Sequence, residues 1–177
     1  MPTKKVSKMD NKLLDLIEKI VEMNEPASKV SSIKVLFLIY LCDWKSSMDL
    51  GHQITNVKWR FIDENFYGGM VEKVEKVLDE TIKNKYQESW TTKFIKSLYI
   101  FNTDVESHKI DSLSREELKV VSFVNKLSKD LPVNDFIKIV YSTFPMITAE
   151  KNTSLDLVGL AKSYKEYYDF SMESGLK

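Results

Sequence analysis

Val35-Leu36-Phe37-Leu38-Ile39-Tyr40-Leu41-Cys42-Asp43-Trp44-Lys45, followed by Gly51-His52-Gln53-Ile54-Thr55 and Trp59, decides how this chain folds. From Val35 to Cys42 no position is charged, so a helix here is coated with apolar groups on every side and belongs in the centre of a domain. A buried strand would show the same short run. Here, though, Val30, Ile33, Trp44 and Met48 carry the helical register beyond strand length, with Val30, Ile33, Phe37, Tyr40 and Trp44 along one face. Gly51 breaks the helix, whose start is expected near Ser28 or Ser31.

The flanking segments read as helices laid around this one. From Asp10, an expected N-cap, apolar residues recur at Leu13, Leu16, Ile17, Ile20, Val21 and Met23, one buried stripe that Glu25-Pro26 ends. Ile54 to Phe66 reads as a short helix or a turn-rich connector, punctuated by Gly68-Gly69. Met70 to Lys83 predicts an amphipathic helix, and Glu72-to-Lys76 and Asp79-to-Lys83 supply exposed ion pairs on its outer face. Tyr86 to Phe101 is mixed: Ser97-Leu98-Tyr99-Ile100-Phe101 has the content of a strand, and a small β-hairpin near residues 86–101 is expected.

Ser114-Arg115-Glu116-Glu117 is a capping box, followed by Leu118, Val121, Val124 and Leu127 on one face. A helix with Val133, Phe136, Ile137, Val140 and Phe144 ends before Pro145. Ser154 is expected to cap the last helix, with Leu157, Leu160, Ala161, Tyr164, Tyr167 and Tyr168 on or near one face. The fold class is therefore mostly α: residues 1–177 form a single compact helical domain of about six helices around a central buried helix.

Composition narrows the function. Apolar residues make up 43% of the chain and charged residues 29%, near the values of ordinary globular proteins, so neither disorder nor a fibrous design is expected. The apolar run is far shorter than the ~20 residues that cross a bilayer. With no apolar stretch behind Lys4, Lys5 and Lys8, a cytoplasmic protein is expected. Lys and Arg balance Asp and Glu at 26 each, so no overall field draws a polyanion. Only Arg60 and Arg115 are arginines. Reading base edges relies on guanidinium forks, so specific nucleic-acid binding is disfavoured.

Chemistry-bearing patterns are missing from the sequence. His52 and His108 have no HxxxH or HExxH partner, and the single Cys42 cannot complete a thiolate cluster, so no metal and no cofactor are expected. The five glycines form neither a GxxxxGK[ST] nor a GxGxxG loop, and no GxSxG elbow appears. Cys42 reads as a small core residue. A catalytic pair of Asp43 and His52 is conceivable, yet no spacing requires it. The aromatic residues admit two readings, core packing or partner anchors, because Trp and Tyr dominate both.

The opening segment resembles the Panacea domain, also known as the SocA-like antitoxin-associated domain, of bacteria and phages. The residues that carry the likeness are Leu38, Tyr40, Leu41, Asp43, Trp44, Gly51, Ile54, Thr55, Trp59, Tyr67 and Gly68. A second block has Leu113-Ser114-Arg115-Glu116-Glu117, Asp135-Phe136-Ile137-Lys138, Ser142-Thr143-Phe144-Pro145-Met146 and Leu155-Asp156-Leu157-Val158-Gly159-Leu160-Ala161. Together they span residues 30 to 168. Gly69 stands where the family usually has proline, and Cys42 where alanine is common; the first departure exchanges a fixed turn for a permissive one.

What the resemblance implies is an antitoxin that neutralises a toxin encoded by an adjacent gene through direct protein–protein binding, with no enzymatic activity of its own. Asp43, Trp44, Lys45, Gln53 and Trp59 are the candidate partner-binding residues. A proteolytic adaptor for the partner and a DNA-binding regulator of its own operon are the alternative readings, and a homo-oligomer is left open.

Overall fold

The computed structural model describes residues 8–24, 30–60, 98–99, 111–150 and 153–173. Among these the chain is mostly helical, with six helices: α1 (Lys8–Met23), α2 (Ser32–Asp49), α3 (Arg115–Ser128), α4 (Val133–Tyr141), α5 (Phe144–Thr148) and α6 (Leu157–Glu173). The expected helix over 70–83 lies outside the described residues. Leu98–Tyr99 (β2) are extended, as the strand-like content of that segment suggests. Their partner is Val30–Ser31 (β1), in an antiparallel register of Val30 with Tyr99 and Ser31 with Leu98. The rest of the expected hairpin falls outside the described residues.

The apolar run becomes the middle of α2, and Val35 through Tyr40 are at most 2% exposed. Side chains pointing in every direction from one helix can be buried only if other helices surround it. That is the arrangement: α2 packs against α1, α3, α4 and α6. The Phe37 ring meets Phe136 of α4 edge-on, with centroids 6.2 Å apart, and the Tyr40 hydroxyl lies 2.8 Å from Thr143 Oγ1. Thr143 donates its own proton to the Val140 carbonyl, so Tyr40 is the donor to Thr143. Burial pushes the Tyr40 phenol up. The Cys42 thiol, also buried, is likewise pushed up by burial and by Asp43 beside it; it is an inert core group.

Helix ends differ in detail from the sequence reading. α1 starts at Lys8, which places Asp10 in its first turn. The capping box of α3 forms as written: Glu117 N–H donates to Ser114 Oγ, and Ser114 N–H to Glu117 Oε2. α3 is rotated from the expected face, however. Glu117, Val121, Val124, Asn125 and Ser128 point inward, and Leu127 is 60% exposed. The polar members of that face are accepted because α1 and the residue that follows it supply partners: Asn24 Nδ2 donates to Asn125 Oδ1 at 2.6 Å, and Lys12 pairs with Glu117. Phe144-Pro145 opens α5 and does not close α4. The cap of α6 is Asp156, whose Oδ1 accepts from Gly159 N–H, while Ser154 forms a bridge with Arg60.

α2 terminates where the sequence says it should. Leu50 N–H closes the last turn on the Ser46 carbonyl, and Gly51 follows with φ +77°, in the left-handed region that a Cβ disfavours. A Cβ on Gly51 would meet no atom within 4 Å, so only the backbone conformation restricts this position. Gly51→Ala is therefore expected to lower stability by about 1–2 kcal/mol. Urea denaturation measures it; an unchanged midpoint would show that the turn does not need a left-handed residue.

Candidate functional site

Downstream of Gly51 the chain doubles back beneath the end of α2, and Asp43 organises the return. Its carboxylate is fully buried. Oδ1 accepts from Thr55 N–H at 2.8 Å. Oδ2 accepts from Thr55 Oγ1 at 2.5 Å, from Trp59 Nε1 at 2.9 Å and from Gln53 Nε2 at 3.4 Å. All four partners donate, which suits an ionised carboxylate, since that form can only accept. Burial nevertheless outweighs these bonds and pushes Asp43 up to about 6.

The same donors fix the connector. Gln53 also donates to the Val57 carbonyl at 3.0 Å, and Val57 N–H donates to Thr55 Oγ1. Ser46 Oγ holds the His52 carbonyl at 2.7 Å. Trp59 is buried edge-on against Tyr40, with centroids 5.2 Å apart, and its carbonyl accepts from Leu155 N–H. One carboxylate thus ties α2 to the connector, and the Trp59 backbone ties the connector to the segment before α6.

Of the five residues expected to meet a partner, the structure brings Asp43, Gln53 and Trp59 into one network, but mostly inward. Asp43, Trp44 and Trp59 are buried, so these three side chains have no surface to offer; their task is positioning. Trp44 packs edge-on against Tyr164 of α6, with centroids 6.2 Å apart. Lys45 and Gln53 are half-buried. Lys45 pairs with Asp49 and lies 5.0 Å over the Phe123 ring, pinning α2 to α3. The reason for the difference is geometric. Asp43 and Trp44 follow directly on the apolar run, and both are covered: Asp43 by the connector through Thr55 and Trp59, and Trp44 by Tyr164 of α6.

Asp43 and His52 take separate partners. His52 Nε2 lies 3.3 Å from Glu117 Oε1, which Lys12 Nζ also reaches at 2.6 Å. Burial works to raise Glu117, but the Lys12 ammonium, the Ser114 N–H and His52 together hold it below the usual carboxylate value. Sequence reasoning found Glu117 only as a capping residue; Lys12, 105 positions away, gave no signal of the pairing. Thr55 was visible as half of the Ile54-Thr55 pair, without the two bonds it gives Asp43. Among the described residues no group of three His, Cys, Asp or Glu side chains is placed to hold a metal ion, and no helix is long and apolar enough to cross a membrane.

The outer surface carries what the Asp43 network does not. Ile139 and Tyr141 of α4, Ile147 of α5, and Tyr167, Tyr168, Phe170 and Met172 of α6 are exposed. These are seven of the nine large apolar side chains exposed among the described residues, and they fall on three consecutive helices packed in series, α4 on α5 and α5 on α6. From sequence, Tyr167 and Tyr168 lie on or near the apolar face of the last helix and admit either core packing or a role as partner anchors; the structure leaves both exposed. Comparison with protein-family models, with curated proteins and with solved structures returns no match.

Proposed function

We propose that this protein is an antitoxin, a cytoplasmic protein without enzymatic activity that holds a toxin encoded by an adjacent gene inactive by binding it directly. The observation that carries the reading is the concentration of exposed apolar side chains on α4, α5 and α6, opposed to a buried Asp43 carboxylate whose bonding capacity is used inside the fold. Occlusion needs a shaped apolar surface on a rigid support and no reactive group; a few aromatic and aliphatic anchors within a polar rim supply most of such affinity. The likeness of residues 30–168 to the Panacea domain, set out above, supplies the class of partner.

The contact surface is assigned to Ile139, Tyr141 and Ile147, with Tyr167 and Phe170 on the outer side of α6. Asp43, Trp44 and Trp59 support it from within, through the packing of Trp44 on Tyr164 and the bond from Leu155 to Trp59. The test is co-expression with the neighbouring open reading frame. Growth should be restored and the two products should co-purify, and Ile139→Asp with Ile147→Asp should abolish both while the purified protein keeps its helical circular dichroism. Persistent toxicity beside abundant soluble protein would end the reading. A partner whose half-life shortens when this protein is present would instead identify an adaptor that delivers it to a protease.

A further inference from the structure

The core-facing stripe of α6 does not stop where the core stops. Leu157 and Ala161 are buried, Tyr164 is half-buried against Trp44 and Phe144, and the stripe then continues through Tyr168 and Met172, which are 51% and 66% exposed. The steps of four, three, four and four residues keep these side chains on one side of the helix, and the Tyr168 ring lies 6.4 Å from that of Tyr164. From Tyr164 to Glu173 the helix advances about 13 Å. Over this length a seam with helix-packing spacing faces outward.

Charge along the same helix is segregated. Lys162 and Lys165 lie in its first half; Glu166, Asp169 and Glu173 follow in the second, all of them exposed. The last turn contains no basic residue, so its acidic groups sit at the negative end of the helix dipole, the unfavourable end for them. A second helix of this sequence, laid antiparallel, sets its basic half beside the acidic half of the first. With Tyr168 on the two-fold axis, Tyr164 of each copy meets Met172 of the other, and Lys165 and Asp169, four residues apart on one flank, are brought within reach of each other twice. An isologous contact of this kind is closed and self-complementary.

We propose that two copies of this chain associate through the outward half of α6, antiparallel, along Tyr164, Tyr168 and Met172 with Lys165 flanking Asp169 of the other copy. Three helical turns bury less than the ~800 Å² per partner of a standard interface, so the dimer is reversible.

Sedimentation equilibrium of the full chain over about a hundredfold range of concentration tests this. The mass should rise from one chain toward two. Tyr168→Glu should remain a monomer throughout with unchanged helical circular dichroism. Lys165→Glu and Asp169→Lys should each weaken association about tenfold, the effect of two exposed attractions turned to repulsions. An equimolar mixture of those two variants should recover it, because every 165–169 contact is again between opposite charges. A chain that is monomeric at every concentration overturns the proposal, as does a dimer indifferent to Tyr168→Glu. A mixture that fails to recover overturns the antiparallel register. A monomer whose capture of the adjacent gene's product requires Tyr168 would give the seam to that partner instead.

Discussion

Replacing Asp43 with alanine is expected to lower stability by about 3 kcal/mol near neutral pH, because each buried donor left without an acceptor costs about 1–3 kcal/mol. The Thr55 and Trp59 N–H groups and the Thr55 hydroxyl would lose theirs together, whereas Gln53 keeps the Val57 carbonyl, and the relieved burial of a charge offsets part of the loss. The connector, the Trp59 contact on Tyr40 and the Leu155 bond should loosen as a unit. Hydrogen exchange should therefore rise at Thr55, Val57 and Leu155 before it rises in the middle of α2. A uniform change across the chain would argue against so local a role.

The same residue has a pH signature. Burial raises Asp43 in the folded state, from 3.8 to about 6, so the fold favours its protonated form. Stability from this group is then fully present below about 3.8 and is lost as pH rises through about 6. A rise from 3.8 to about 6 corresponds to roughly 3 kcal/mol, so the stability difference between the native protein and Asp43→Asn should shrink by that order between acid and neutral pH. Glu117 works the other way. Held below the usual value, it contributes stability above 4.5 that is lost as pH falls through its lowered folded pKa. Between about pH 5 and 7 only Asp43 of the two is changing, and the comparison is clean there. A difference that stays constant over that range would show that the four hydrogen bonds cancel the effect of burial.

Phe37→Ala is expected to cost about 3–5 kcal/mol, the range for removing a large side chain from a core that cannot collapse around the gap. Phe37 is fully buried in the part of α2 that other helices surround, with Phe136 edge-on. No free side of the helix can move in to fill the space. Ile147→Ala on exposed α5 should stay within about 0.5 kcal/mol. Guanidinium denaturation of both separates the cases. A Phe37 variant that lost less than about 1 kcal/mol would mean that α2 is not the centre of the fold.

Much of the fold was legible because the relevant signals are local. The eight uncharged positions from Val35 announce a helix buried on all sides, Gly51 announces its end, and Ser114 with Glu117 announces the start of α3. Periodicity alone does not choose a face. Hydrophobicity points Leu127 inward, yet Asn125 takes the inner position, where its side-chain oxygen accepts from Asn24. Ser154 looked like the cap of α6 by residue type; it bridges to Arg60, and Asp156 does the capping. Tyr167 and Tyr168 fit an apolar stripe whose spacing cannot say how far the rest of the molecule extends beside it.

Local patterns in the chain are enough to show that it is helical, that the segment beginning at Val35 lies at its centre, and that Asp43, Gln53, Thr55 and Trp59 belong to one stretch of importance. Tertiary structure alone decided that Asp43 and Trp59 face each other inside the protein, that Lys12 meets Glu117, and that the seam of α6 runs past the core. Local patterns record which side of an element avoids water. What an element packs against, and where that packing ends, is set by segments a hundred residues away, and no spacing within the element encodes it.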